Sequence, residues 1–156
     1  MYLISACLAG QPVRYDSKSY HYEQIQRLIQ QGKVITACPE LLGGLSYPRL
    51  PAEIQNGNGA DVLNGTAQVI DAVGQDVSQA FIQGAYRTLE LAQLHHIQTV
   101  VLKENSPSCG RHWIYDGSFN AQKIKGMGVT ATLLLQHGFQ VISENQFLEL
   151  LALTED

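Results

Sequence analysis

Two short apolar runs constrain this chain more than any other feature. Residues 2–6, Tyr-Leu-Ile-Ser-Ala, and residues 33–37, Lys-Val-Ile-Thr-Ala, each stop at a cysteine. Runs of this length bounded by Gly or Pro read as buried strands. Between them Tyr22, Ile25, Leu28 and Ile29 recur at helical spacing over 21–31, and Gly32 stands where a C-terminal cap belongs. Together the three segments predict a βαβ unit. Further along, a strand is expected at 67–71 and a helix at 76–94, with Val77, Phe81, Ala85, Leu89 and Ala92 on one face and Asp76 or Ser78 as its cap. A strand at 98–103, a helix over 128–137, a strand at 139–143 and a helix over 145–153 complete the series. Such alternation predicts an α/β fold: a mostly parallel open sheet with helices on both faces, Rossmann-like in outline. Residues 39–65, rich in Gly, Pro and Asn, show no period and are expected to form an active-site loop.

With 156 residues and 45% hydrophobic content, the chain can build one core, so residues 1–156 are expected to be a single domain with a single active site. A net charge of −4 with scattered Lys and Arg argues against extended nucleic-acid binding. The N-terminus lacks a basic n-region, and no apolar run reaches the roughly 18–20 residues of a membrane helix. A cytoplasmic protein without a membrane partner is expected. Three cysteines, odd in number and widely spaced, argue against a disulfide framework and for reduced thiols or metal ligands.

In an open α/β sheet, ligands bind outside the carboxyl ends of the strands. Cys7 closes the first predicted strand, Cys38 closes the second, and Cys109 lies in the loop 104–117 after the strand at 98–103. Topology should carry all three to one edge, although any one alone would read as a small buried hydrophobe. Two metal readings follow. With His112 as a fourth ligand the cysteines would make a Cys₃His zinc site, and the protein a zinc-stabilised binding module without catalysis. Without it, a three-cysteine [4Fe–4S] cluster would keep one iron open to a substrate atom. Spacing leaves both readings open. The prolines and glycines after Cys38 suit a preorganised site. Gly126-Met127-Gly128-Val129-Thr130-Ala131 fits a dinucleotide fingerprint only in letters, since 120–125 is poorly strand-like. It is expected instead to form a tight loop whose helix N-terminus donates N–H groups into the site or caps the helix.

Four ordered motifs stand out: Ser5-Ala6-Cys7-Leu8-x-Gly10 with Arg14-Tyr15-Asp16; Cys38-Pro39-Glu40-x-x-Gly43-Gly44-Leu45 with Pro48-Arg49-x-Pro51-Ala52-Glu53-Ile54; Ser106-Pro107-Ser108-Cys109-Gly110 with Ile114-Tyr115-Asp116-Gly117-Ser118-Phe119; and Gly126-x-Gly128-Val129-Thr130-Ala131. They resemble the DUF523 family of 2-thiouracil desulfurases over nearly the whole chain. The resemblance implies that Cys7, Cys38 and Cys109 ligate a [4Fe–4S] cluster whose fourth iron takes the sulfur of a small thiolated substrate. Water would attack the carbon and hydrosulfide would leave, without net electron transfer. By similarity, Glu40 and Ser106, preferred over Ser108, handle protons, while Ser5, Asp16, Arg49 and Ser108 are the expected substrate contacts. Val13 departs from the family pattern, in which some members carry a cysteine, so the site here must manage with three. On physical grounds a carboxylate two residues from a ligand is near enough to activate water, and Arg14, Arg49 and Arg111 can offset an anionic cluster or orient a polar substrate.

Overall fold

The computed structural model describes residues 1–16 and 20–154. In chain order the elements are β1 (Tyr2–Ser5), a 3₁₀ turn (Ala6–Ala9), α1 (Glu23–Gln30), β2 (Val34–Ala37), α2 (Pro39–Leu42), β3 (Ala52–Gln55), α3 (Gly59–Leu63) and β4 (Gln68–Asp71). There follow α4 (Ser78–Leu94), β5 (Thr99–Leu102), β6 (Trp113–Tyr115), β7 (Lys123–Lys125), α5 (Val129–Gln136), β8 (Gln140–Ser143) and α6 (Glu144–Thr154). Among the described residues no helix is long and apolar enough to cross a membrane.

Four strands form a parallel sheet in the order β2-β1-β5-β8. Alternate side chains of a strand face opposite layers, and here both layers are apolar. Leu3, Val100 and Val141 pack with Phe81, Ala85 and Leu89 of α4 and with Leu133 and Leu134 of α5. Ile4, Val101 and Ile142 pack on the other side with Ile25 of α1 and Phe147 of α6. The expected α/β architecture with helices on both faces is therefore present. The chain leaves β1 toward β2 on one side and returns to its other side as β5, which makes the carboxyl edge around β1 the switch point where a crevice opens.

Outside this sheet the expectations need correction. Residues 39–65 are not one loop: they hold α2, β3 and α3. Helices of four and five residues are too short to display a period, and α3 owes its start to a capping box between Asn58 and Asp61. The strand predicted at 67–71 exists as β4, but it pairs antiparallel with β3 and lies outside the parallel sheet. Within the expected loop 104–117, β6 forms a second antiparallel ribbon with β7. Asp76 does serve the start of α4, its Oδ1 accepting the Ser78 N–H at 2.9 Å.

The short helix α2 is seated by backbone contact. A Cβ at Gly84 of α4 would fall 1.9 Å from the Pro39 carbonyl oxygen, so α2 and α4 meet at a distance only glycine permits. One turn on, Arg87 donates to the Leu42 carbonyl. Gly84→Ala is expected to force the helices apart at the roughly 1–3 kcal/mol typical of overpacking. The thermal midpoint should fall by about 3–10 °C in a circular-dichroism melt. An unchanged midpoint would show that α2 is not fixed at this point.

Candidate active site

The carboxyl edge of the sheet opens into a cavity of about 810 Å³, and all three cysteines line it. Cys7 stands on the 3₁₀ turn after β1, Cys38 is the N-cap residue of α2 after β2, and Cys109 lies on the loop after β5. All are free thiols; Cys7 and Cys109 are buried and Cys38 is half-buried. Burial pushes the Cys7 thiol up to about 12, with Arg14 and Lys103 opposing and Cys38 adding to the rise. Cys109 is raised by burial, then by the charges of Glu40, Cys38 and Cys7. Cys38 is raised by burial too, against the N–H of Leu41, while Glu40 adds to the rise and Arg49 opposes it. The thiols are thus near enough to act on one another through their charges.

Three thiols on one cavity are the soft donor set that suits an iron–sulfur group. His112 lines a different cavity, and its Nδ1 lies 3.1 Å from Glu104 Oε2. The alternative Cys₃His site would need His112 beside the cysteines, and His112 is not there, because the chain has turned toward β6 before it is reached.

Glu40 enters the cavity from α2, where Pro39 occupies the first helical position. Its Oε2 is paired with Arg49, and its Oε1 accepts from Ser106 Oγ at 3.4 Å. Arg49 also donates to the carbonyls of Val13 at 2.8 Å and Ser46 at 3.1 Å, so it ties three stretches of chain together. Ser106 Oγ in turn accepts the N–H groups of Ser108 and Cys109 at 3.0 and 3.1 Å. Of the expected substrate contacts, Ser5 and Arg49 line the cavity. Ser5 Oγ accepts the Lys103 N–H at 3.1 Å. Ser108 and Asp16 are not brought to it. Ser108 is 1% exposed and its hydroxyl lies 2.7 Å from that of Thr130 on α5. Asp16 sits 3.8 Å from Arg14. Arg111 also faces away, into the second cavity.

The N-terminus of α5 does not donate into the site. Its N–H groups hold the Cys109 turn: Gly128 to Gly110, Val129 to Pro107 and Thr130 to Ser108 carbonyls, at 2.8, 2.8 and 2.9 Å. A Cβ at Gly128 would fall 2.5 Å from the Ser108 backbone, so this docking needs a glycine. Lys103, Glu104, Tyr20 and Glu144 have site roles the motifs did not reveal. Lys103 Nζ lies 3.0 Å from Glu144 Oε2 and 5.3 Å from the Tyr20 ring, with Arg14 also 5.3 Å from that ring. Burial works against the charge on Lys103, but the charge and hydrogen bond of Glu144, together with Tyr20, hold the amine above the usual range. Burial also works against Glu104, yet hydrogen bonds from Trp113, His112 and Arg111 hold its carboxyl below the usual range. One signal was available, since Lys103 ends the strand predicted at 98–103 and Glu104 directly follows it, on the edge the sheet rule singles out. Tyr15, Tyr115 and Phe119 supply aromatic surface to the cavity wall.

A model of the 2-thiouracil desulfurase family matches residues 2–146. The chain belongs to that family. Members of similar sequence include the uncharacterized protein YbbK of Bacillus subtilis (strain 168), 50% identical over 151 residues that cover 97% of this chain and 100% of that protein. Among solved structures, the [4Fe-4S]-dependent thiouracil desulfidase TudS superposes with a TM-score of 0.85 at 41% identity, over 98% of this chain and 95% of that one. Family membership gives the shared thiol cavity a chemical context that geometry alone does not.

In protein prepared without metal, the Cys7 thiolate fraction at pH 8 should be roughly a thousandfold below that of an unburied cysteine. Iodoacetamide labelling of Cys7, followed by peptide mass analysis, should therefore keep rising with pH through pH 10. A plateau near pH 9 would contradict the burial described above.

Proposed function

We propose that this chain is a cytoplasmic, [4Fe–4S]-dependent desulfurase, working as one domain, that exchanges the thiocarbonyl sulfur of a small 2-thiouracil-like compound for oxygen. The balance is one water consumed, one C=S bond replaced by C=O, and one hydrosulfide and one proton released. The observation that carries the reading is the meeting, in one cavity, of three cysteines from three strand ends with the Glu40–Ser106 pair. Cys7, Cys38 and Cys109 would hold the cluster, which when bound supplies an iron free of protein ligands as a Lewis acid for the substrate sulfur. Family membership and the likeness to TudS support that cofactor.

The chain's own residues do the rest. Glu40 takes the proton of the attacking water, and Arg49 fixes the orientation of its carboxylate. Ser106, already donating to Glu40 Oε1, passes protons between that carboxylate and the reacting atoms. Arg14 and Lys103, both of which favour the Cys7 thiolate, offset the negative charge of the thiolate-ligated group. Tyr15, Tyr115 and Phe119 give a planar ring an apolar wall to lie against.

Glu40→Gln keeps the size of the side chain but not its ability to accept a proton. It is expected to retain wild-type iron content after anaerobic reconstitution while sulfide release from 2-thiouracil falls by roughly 10²–10⁴-fold. Full activity with full iron would remove Glu40 as the base. Separately, Cys7→Ser, Cys38→Ser and Cys109→Ser should each lose iron while keeping the circular-dichroism spectrum, because the sheet core does not depend on the metal. Wild-type iron content in any one of them would remove that cysteine from the ligand set.

A further inference from the structure

A second cavity, of about 510 Å³, lies beside the hairpin β6–β7 and shares no lining residue with the cysteine cavity. Its size falls within the roughly 300–1,000 Å³ of small-molecule sites. The cationic side chains lining it are Arg111 and Lys125, and no carboxylate is among the lining residues. In a chain whose net charge is −4, two cations on one hollow run against the overall balance.

Arg111 is half-buried; its Nε donates to the Val141 carbonyl at 2.8 Å, and its Nη1 reaches only the Met127 sulfur at 3.7 Å, a weak acceptor. Among the described residues neither Arg111 nor Lys125 has an ion pair. Two carboxylates stand behind the lining without facing Arg111 or Lys125 as ion-pair partners: Glu104 accepts the N–H groups of Arg111, His112 and Trp113 and lies 3.1 Å from His112 Nδ1, and Asp61 accepts the Asn58 N–H. A guanidinium drawn out of water without a carboxylate is costly unless a ligand anion completes it, and its planar fork matches phosphate oxygens. Beside these cations the cavity is lined by the indole of Trp113, 41% exposed although it is the largest aromatic side chain in the protein. An aromatic face next to unpaired cations is the composition that takes a base and a phosphate together.

We propose that this cavity is a separate binding site for a nucleoside monophosphate, with Arg111 and Lys125 on the phosphate and Trp113 stacked on the base. Trp113 is the only tryptophan in the chain, so its fluorescence reports this cavity directly.

The test is a titration of the full chain, reconstituted anaerobically with iron and sulfide, with AMP, adenosine and inorganic phosphate, reading Trp113 emission on excitation near 295 nm. AMP should give a saturable change, adenosine should bind at least tenfold more weakly, and inorganic phosphate should compete with AMP. Lys125→Gln, on an exposed strand, and Arg111→Gln should each weaken AMP at least tenfold, while Glu40→Gln, in the other cavity, should leave the titration unchanged. Lys125→Gln carries the test if Arg111→Gln does not fold. The proposal is overturned if AMP gives no saturable change up to about 10 mM, the weak end of specific binding. It is equally overturned if adenosine binds as well as AMP, or if Lys125→Gln binds AMP like the wild type.

Discussion

The sheet edge depends on one carboxylate that closes the loop between β5 and β6. Glu104 Oε1 accepts three consecutive N–H groups, from Arg111, His112 and Trp113, at 2.7, 2.8 and 3.0 Å. Each would otherwise be a donor left without a partner, at roughly 1–3 kcal/mol if buried. From the other side, α5 docks its first N–H groups on the carbonyls of residues 107, 108 and 110. Held at both ends, the turn has little freedom in where it sets Ser106 and Cys109. Ser106 Oγ already accepts two backbone N–H groups. A hydroxyl has two acceptor positions and one proton, so the proton is directed outward, and Glu40 Oε1 is the acceptor it meets. Backbone accounting thus fixes the direction of the Ser106–Glu40 hydrogen bond.

Opposite this loop the charges are arranged in layers. Thiols must lose their protons to serve as ligands, and burial resists that for all three. Arg14 and Lys103 oppose the effect at Cys7, as Arg49 does at Cys38. Each cation has an acid of its own: Asp16 near Arg14, Glu144 against Lys103, Glu40 against Arg49. Lys103 is further held between Tyr20 and the Glu104 carbonyl. These pairings keep the cations beside the thiols in the absence of a bound anion, where lone buried charges would be costly.

The parallel sheet was legible because β1, β5 and β8 are short apolar strands and their helices carry clear apolar faces. Its edge was legible because Cys7, Cys38 and Cys109 follow β1, β2 and β5. What could not be read has identifiable causes. The helices α2 and α3 are shorter than the window in which a period of 3.6 shows. The strand β7, Lys-Ile-Lys, is exposed at all three residues, so no burial pattern marks it. Ser106 and Ser108 are both serines of one turn, and only the docking of α5 decides that Ser108 faces Thr130 while Ser106 faces the cavity. Lys103 and Glu104 look like ordinary surface residues in the sequence. Their roles come from partners far away in the chain, Ser5 for the Lys103 backbone and Glu144 for both residues.

Three thiols by themselves need little space, and clusters that only carry electrons are favoured by enclosure. Here the cavity of about 810 Å³ has the volume of a small-molecule site. Its walls differ in kind: sulfur and cations at the sheet edge, aromatic rings from 115 and 119 beside the ribbon β6–β7, and the Glu40–Ser106 pair from α2 and the Cys109 loop. Glu53 Oε1 accepts the Gly117 and Phe119 N–H groups at 3.0 and 3.2 Å, so the aromatic side is fixed to β3. In the proposed roles, the Glu40–Ser106 pair would be superfluous for electron storage. It would serve the proposed exchange, in which a flat ring lies on the aromatic wall and Glu40 takes a proton from the attacking water.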